Sequence, residues 1–253
     1  MAWPACGSRC VGDVLRHLIE YILETGSTND DLAARLSSGE RVSEGDWLVA
    51  DRQTSGRGRQ GREWFDGSGN FMGSTVVNVS QSDPPASTLA LLTGLATYEA
   101  CLALVPDPQA LSLKWPNDLL IGRAKLAGIL LEGQGSAVIA GIGVNLAAAP
   151  DLPDRETVSL TKFGPAPARD SFTEKLAAQF DTELERWRTY GLEPLLRRWI
   201  NAAHPLGTPL TFHETGATIQ SGKFAGLADD GSLLLRLADG STRAIHAGDV
   251  MLA

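Results

Sequence analysis

Cysteine, histidine and aromatic side chains are scarce in this chain of 253 residues, which has 3 cysteines, 4 histidines and 6% aromatics. Cys6, Cys10 and Cys101 form no Cys-x-x-Cys pair and have no histidine at metal-ligand spacing. They therefore point to neither a disulfide framework nor a zinc site, and the expected compartment is a reducing one. His17, His204, His213 and His246 all lie outside the motif-rich region from 27 to 145, and no Gly-x-Ser-x-Gly elbow is present, so a serine or cysteine hydrolase has no obvious base. No run of about 18 apolar residues is available for a membrane span. The N-terminus lacks the basic start and apolar stretch of a secretory signal, so a cytoplasmic protein without membrane contact is expected. Repeats and low-complexity tracts are missing too. Positive charge is in deficit, with 22 Lys and Arg against 30 Asp and Glu and a net charge of -8. That balance argues against broad adhesion to nucleic acid, so any anion site has to be local.

With 43% apolar residues the chain can bury a full core as one large domain, or as a large and a small one. A strand is expected near Leu18 to Glu24, followed by a helix opening at "STNDD", where small polar caps and first-turn acids suit an N-terminus. "DWLVADRQ" and "NFMGSTVVNVS" read as strands, and residues 87–104 as a mostly apolar helix packed on a sheet face. "LSLKWPNDLLIG", "AKLAGILLEG" and "SAVIAGIGVNLA" give three further strand signals, separated by turn residues. Residues 150–170 read as a loop, and 171–190 and 193–203 as amphipathic helices. From about residue 206 the texture changes to short strands with Asp-Gly turns, which fits a small barrel.

Against the acidic background, "RQTSGRGRQGREW" (52–64) places four arginines and three glycines together. Its glycines free the backbone to bring N–H groups near a ligand, while Arg57, Arg59 and Arg62 supply planar, permanently charged donors suited to phosphate or carboxylate. A solvated basic hairpin tip is the plainer reading, and Trp64 taken alone could be a core residue. "GATIQSGKF" misses the phosphate-loop pattern in spacing and in its last residue, and "GIGVNL" lacks the third glycine and the following helix of a dinucleotide fingerprint. The latter reads as a strand whose glycines let something approach closely. Cys101 sits inside the apolar helix and reads as core.

Taken together and in order, "GSTND", "RQTSGRGRQGREW", "KWPNDLLIGRAKLAGILLEG" and "GIGVNL" resemble the biotin–protein ligases, also called holocarboxylase synthetases. The resemblance implies an α/β catalytic domain (1–204) with a central mixed sheet, like that of class II aminoacyl-tRNA synthetases, and an SH3-like barrel (205–253). It also implies two half-reactions: biotin and ATP with Mg²⁺ form biotinyl-5′-AMP, and the acyl group then passes to a lysine of a biotin carboxyl carrier protein. Ser27, Thr28 and Asn29 match the turn beneath the biotin ureido ring, although they also make a good helix cap. Gln53 matches a position near the biotin head, and Arg57, Gly58 and Arg59 match the loop over biotin and the acyl phosphate. Arg62 and Trp64 match positions serving the nucleotide, with Trp64 offering a face to adenine. Asn117 and Asp118 fall in a turn that can reach phosphate, with Asp118 either a Mg²⁺ ligand or a simple turn former. Lys125 matches the ammonium that contacts both the biotin carboxylate and the α-phosphate. Gly128 matches a close backbone approach to biotin, and Asn145 an asparagine near the nucleotide.

Gln60 departs from the pattern, standing where some relatives have another arginine. The stretch ahead of the first motif strand is too short for a helix-turn-helix, so no DNA binding is expected. A lipoate or octanoate ligase of the same fold is the nearest rival, and a non-catalytic module that binds phosphate or nucleic acid is the rival of another class. Monomer and sheet-extended homodimer are both compatible with these residues.

Overall fold

In the computed structural model, residues 18–213 and 220–252 are described. Expectations resting on Cys6, Cys10, His17, the N-terminal stretch and part of "GATIQSGKF" fall outside them. The first strand signal folds as β1 (Ile19–Ile22) and runs parallel to β2 (Trp47–Ala50). Between them lies helix α1 (Thr28–Ser38), which ends at Gly39 with φ 78°, a left-handed cap that glycine adopts without penalty. β3 (Phe71–Asn78), helix α2 (Leu89–Leu102), β4 (Leu111–Lys114), β5 (Asp118–Ile121), β6 (Ala124–Gln134) and β7 (Ala137–Val144) follow. The seven strands form one mixed sheet in the order β1-β2-β3-β7-β6-β5-β4. The stretch expected to give one strand signal at "LSLKWPNDLLIG" is instead a hairpin, with Lys114 paired to Asp118. Pro116 cannot donate to a ladder, so the strand ends there and reverses.

Alternation along the strands sorts side chains to two faces. Trp47, Val49, Phe71 and Val77 join the larger core, which includes α2, while Leu48, Val76 and Ile139 join a smaller cluster with Leu32 of α1. Helix α2 is buried over most of its length because α3 (Arg169–Tyr190) and α4 (Leu192–Ala202) cover its outer side. This explains its nearly continuous apolar sequence. Cys101 is a free, fully buried residue of that helix, and burial pushes its thiol up to about 12. Residues 150–168 contain a single turn of 3-10 helix and otherwise connect without regular structure.

The C-terminal part is a five-stranded antiparallel sheet ordered β11-β10-β9-β8-β12, made of β8 (Pro209–His213), β9 (Gln220–Leu227), β10 (Leu233–Arg236), β11 (Thr242–Ile245) and β12 (Asp249–Leu252). It docks beside the β4–β5 hairpin. Trp115 Nε1 donates to Gly231 O (3.1 Å), and Lys114 Nζ donates to Val250 O (2.9 Å). Among the described residues no helix is long and apolar enough to cross a membrane.

Candidate active site

The face of the large sheet that carries α1 is only half covered. Leu32 of α1 packs over Val76 and Ile139, but further along the same face the cross-strand positions are glycines: Gly128 opposite Gly143, and Gly141 opposite Leu130. A side chain at these points would collide with what lies above. A Cβ on Gly141 would stand 2.3 Å from Asn29 Oδ1, and one on Gly143 would stand 2.2 Å from the Trp64 ring. A Cβ on Gly128 would meet Lys125 Nζ and Trp64, both at 2.9 Å. The close approach read from "GIGVNL" is therefore made by the protein's own polar and aromatic side chains. Over this glycine floor lies a cavity of about 490 Å³, bordered by the N-terminus of α1, the 53–65 loop, the β4–β5 hairpin and β12.

At one end, Ser27 caps α1 with extended backbone, and Ser27, Thr28 and Asn29 are all buried. Helix cap and cavity wall are thus one structure. Gln53 Oε1 accepts from the Thr28 N–H (2.8 Å) and lies 3.0 Å from the Thr28 hydroxyl. That hydroxyl is 2.7 Å from Ser74 Oγ, which in turn is 2.6 Å from Asn29 Oδ1. Two hydroxyl protons cannot serve three contacts, so the cluster holds a spare acceptor, suited to an N–H donor on a neutral polar head. Asn29 Nδ2 donates to Glu132 Oε2 at 2.7 Å.

The arginine loop folds as a narrow hairpin over the cavity. Arg57 bridges to Glu63, the Gly58 N–H donates to Arg62 O (2.6 Å), and the Trp64 N–H donates to Gly56 O (2.8 Å). Its tip turns through left-handed backbone at Gln60 (φ 59°) and Gly61 (φ 71°). The guanidinium groups point in different directions. Arg57 pairs with Asp30 (2.5 Å) and Glu132 (3.1 Å), and Arg62 pairs with Asp249 of β12 (2.6 Å). Arg59 donates to Asn117 Oδ1 and to Gly248 O, both at 3.3 Å. Trp64 lies on the glycine floor with the Lys125 ammonium 5.5 Å from its ring centroid.

Opposite the loop, Asp118 is buried with Lys125 Nζ 2.6 Å from Oδ1 and Lys114 Nζ 2.8 Å from Oδ2. Burial alone would raise its carboxyl, but the two ammoniums outweigh burial and hold it well below the ordinary carboxylate range. Asp118 was expected either as a Mg²⁺ ligand or as a turn former, and in the fold it is the counter-ion of two lysines. Both of its oxygens face ammonium groups, so a divalent cation beside them would meet like charge. Asn117 Nδ2 donates to Ile129 O (2.7 Å), leaving its Oδ1 for Arg59. Asn145 donates to Val158 O (3.2 Å), and its buried Oδ1 is unpartnered.

All fourteen residues singled out from the sequence border this one cavity. Lys114, Asp249 and Arg155, which also border it, were not foreseen, nor were Ser74 and Glu132, which hold its walls. A neutral polar end and a cationic end joined by a glycine floor define a pocket for an elongated acid, the kind of site an acid-activating ligase requires. Comparison with known proteins agrees. Residues 25–147 match the biotin/lipoate A/B protein ligase family, and residues 207–252 match the biotin protein ligase C-terminal domain. The biotin–[acetyl-CoA-carboxylase] ligase of Paracoccus denitrificans is 40% identical over 227 residues, covering 85% of this chain and 92% of that protein. The enzyme of the same name from Mycobacterium tuberculosis is 33% identical, covering 92% of this chain and 88% of that one. Among solved structures, the biotin protein ligase of Aquifex aeolicus in complex with biotin and ATP superposes with a TM-score of 0.82 at 26% identity, covering 93% of this chain and 99% of that one. The chain belongs to the biotin protein ligases.

Proposed function

We propose that this protein activates biotin with ATP and transfers it to a lysine of the biotin carboxyl carrier protein of an acetyl-CoA carboxylase. The convergence of the Ser27–Asn29 turn, the arginine loop and Lys125 on one cavity carries the reading, and the names of the relatives support it. Residues 1–204 are assigned to the ligase unit and 205–253 to the small sheet domain, whose strand β12 lends Asp249 to the cavity wall.

In the first half-reaction the biotin carboxylate attacks the α-phosphorus, a new P–O bond forms, and the bond to pyrophosphate breaks. Both reactants are anionic, so the barrier falls when fixed cations stand where charge gathers. Lys125 and Arg59 are assigned that task, with Arg57 and Gly58 closing over the acyl phosphate. Ser27, Thr28, Asn29, Gln53 and Gly128 hold biotin, and Arg62, Trp64, Asn117 and Asn145 serve the nucleotide. Mg²⁺ would enter with ATP as the counter-ion of its phosphates. In the second half-reaction the carrier lysine attacks the acyl carbon and AMP leaves. No covalent enzyme intermediate is needed.

The test is ATP–pyrophosphate exchange with biotin, lipoate and octanoate in parallel, followed by transfer to a carrier domain. Exchange with biotin is expected. Exchange with lipoate and none with biotin would overturn the assignment.

A further inference from the structure

Glu132 lies on the same sheet face as Gly128, Leu130 and Ile139, where packing alone calls for an apolar or small side chain. It is half-exposed, and its two oxygens serve two different elements. Oε2 accepts from Asn29 Nδ2 of the head-group turn, and Oε1 faces Arg57 of the loop. Asn29 is held at both ends of its carboxamide, since Oδ1 accepts from Ser74 while Nδ2 donates to Glu132. The Ser74 hydroxyl can donate or accept, so Glu132, which only accepts, is the partner that fixes which end of the amide faces it. A single carboxylate thus ties the orientation of the head-group site to the position of the loop.

We propose that Glu132 is a positioning residue that sets the Asn29 carboxamide and holds the arginine loop over the cavity. Closure of the loop then depends on a correctly set head-group site. The assignment rests on the biotin-ligase reading above. Asp30 contributes a second carboxylate to Arg57 but does not touch Asn29's side chain, so the two acids separate the two tasks.

Glu132→Gln, Glu132→Ala and Asp30→Asn test it in the full-length protein. Glu132→Gln can still accept from Asn29, but it then turns its own NH₂ toward Arg57 and loses the charge-assisted contact. Tryptic cutting of the ligand-free loop after Arg57, Arg59 and Arg62 is expected to rise about three- to tenfold, the range for losing one charge-assisted hydrogen bond at a half-exposed site. Dissociation of biotinyl-5′-AMP is expected to quicken by a similar factor, with the biotin KM raised less than in Glu132→Ala. Glu132→Ala loses both contacts and is expected to raise the biotin KM about tenfold as well. Asp30→Asn is expected to speed tryptic cutting without moving the biotin KM. Wild-type cutting and adenylate dissociation in Glu132→Gln, or a wild-type biotin KM in Glu132→Ala, would overturn the proposal. If the wild-type protein makes no biotinyl-5′-AMP, the reading it rests on fails, whereas the tryptic arm still reports whether Glu132 holds the loop.

Discussion

Asp118→Asn separates two roles that a carboxylate near a phosphate site can play. In the wild type each oxygen faces one ammonium, Lys125 at 2.6 Å and Lys114 at 2.8 Å. Asparagine keeps the shape, but whichever way it turns, its NH₂ faces one of the two lysines. Breaking a fully buried ion pair costs about 3–5 kcal/mol. Lys114 and Lys125 keep 13% and 19% of their side-chain surface. Water therefore recovers part of the loss, and about 2–3 kcal/mol is expected. For a chain of this length that lowers Tm by about 4–12 °C. Lys125 loses its anchor, and a misplacement on the order of 1 Å at a reacting centre can slow the first half-reaction about 100-fold. The assay is ATP–pyrophosphate exchange with biotin across a Mg²⁺ titration, paired with thermal unfolding. A counter-ion role predicts a slow enzyme of lowered Tm whose Mg²⁺ half-saturation is unchanged. An unchanged Tm together with a raised Mg²⁺ requirement, and full rate at high Mg²⁺, would refute it and restore Asp118 as a metal ligand.

Lys125→Ala removes the ammonium from the cavity while Lys114 still neutralises Asp118, so the fold should persist and exchange should fall about 100- to 1000-fold, as for loss of one charge-stabilising donor. Intact exchange would remove Lys125 from its role. Gly143→Ala places a methyl within 2.2–2.5 Å of three Trp64 ring atoms. Overpacking of this kind costs about 1–3 kcal/mol, and because the methyl points into the cavity the loss should show in calorimetric ligand affinity more than in Tm. His204 is buried against Phe224, with ring centroids 4.5 Å apart, and burial lowers its pKa from 6.5 to about 4. Above pH 6.5 the ring is neutral in both folded and unfolded chains and adds no pH dependence. As pH falls from 6.5 to about 4 only the unfolded chain takes up the proton, so stability should drop by about 3 kcal/mol. Urea unfolding at pH 7.5 and 4.5 measures this, and His204→Leu should flatten that part of the slope.

The strand and helix signals, the change of texture near residue 206 and the motif residues are legible because each rests on local pattern: alternation, caps, glycines and short spacings. What escaped is long-range. Glu132 is 103 residues from Asn29, and Asp249 is 187 from Arg62. Neither acid carries a motif of its own. Glu132 did leave a trace, a charge on a sheet face otherwise given to glycine and aliphatic residues, but it becomes a signal only once the face is known. Ser74 left none, being one small polar residue in a strand. That two lysines face Asp118 escaped for a related reason. A carboxylate after a turn, near a presumed phosphate, fits a cation whatever its kind, and only the hairpin register that sets Lys114 opposite Asp118 shows that the cations are lysines.

Most cations facing the cavity have carboxylate partners: Arg57 with Asp30 and Glu132, Arg62 with Asp249, and Lys114 and Lys125 with Asp118. An anionic ligand therefore binds by exchanging partners, and the cost depends on what becomes of the carboxylate released. Asp30, Glu132 and Asp249 keep 50%, 37% and 27% of their side-chain surface and can return to water cheaply. Asp118 keeps 9% and cannot. The arginines are thus the movable half of the site, free to leave their partners and close on a ligand. The two lysines are the fixed half, pinned by a carboxylate too buried to let go, so the arginines are expected to change partners on an anionic ligand more readily than the lysines do.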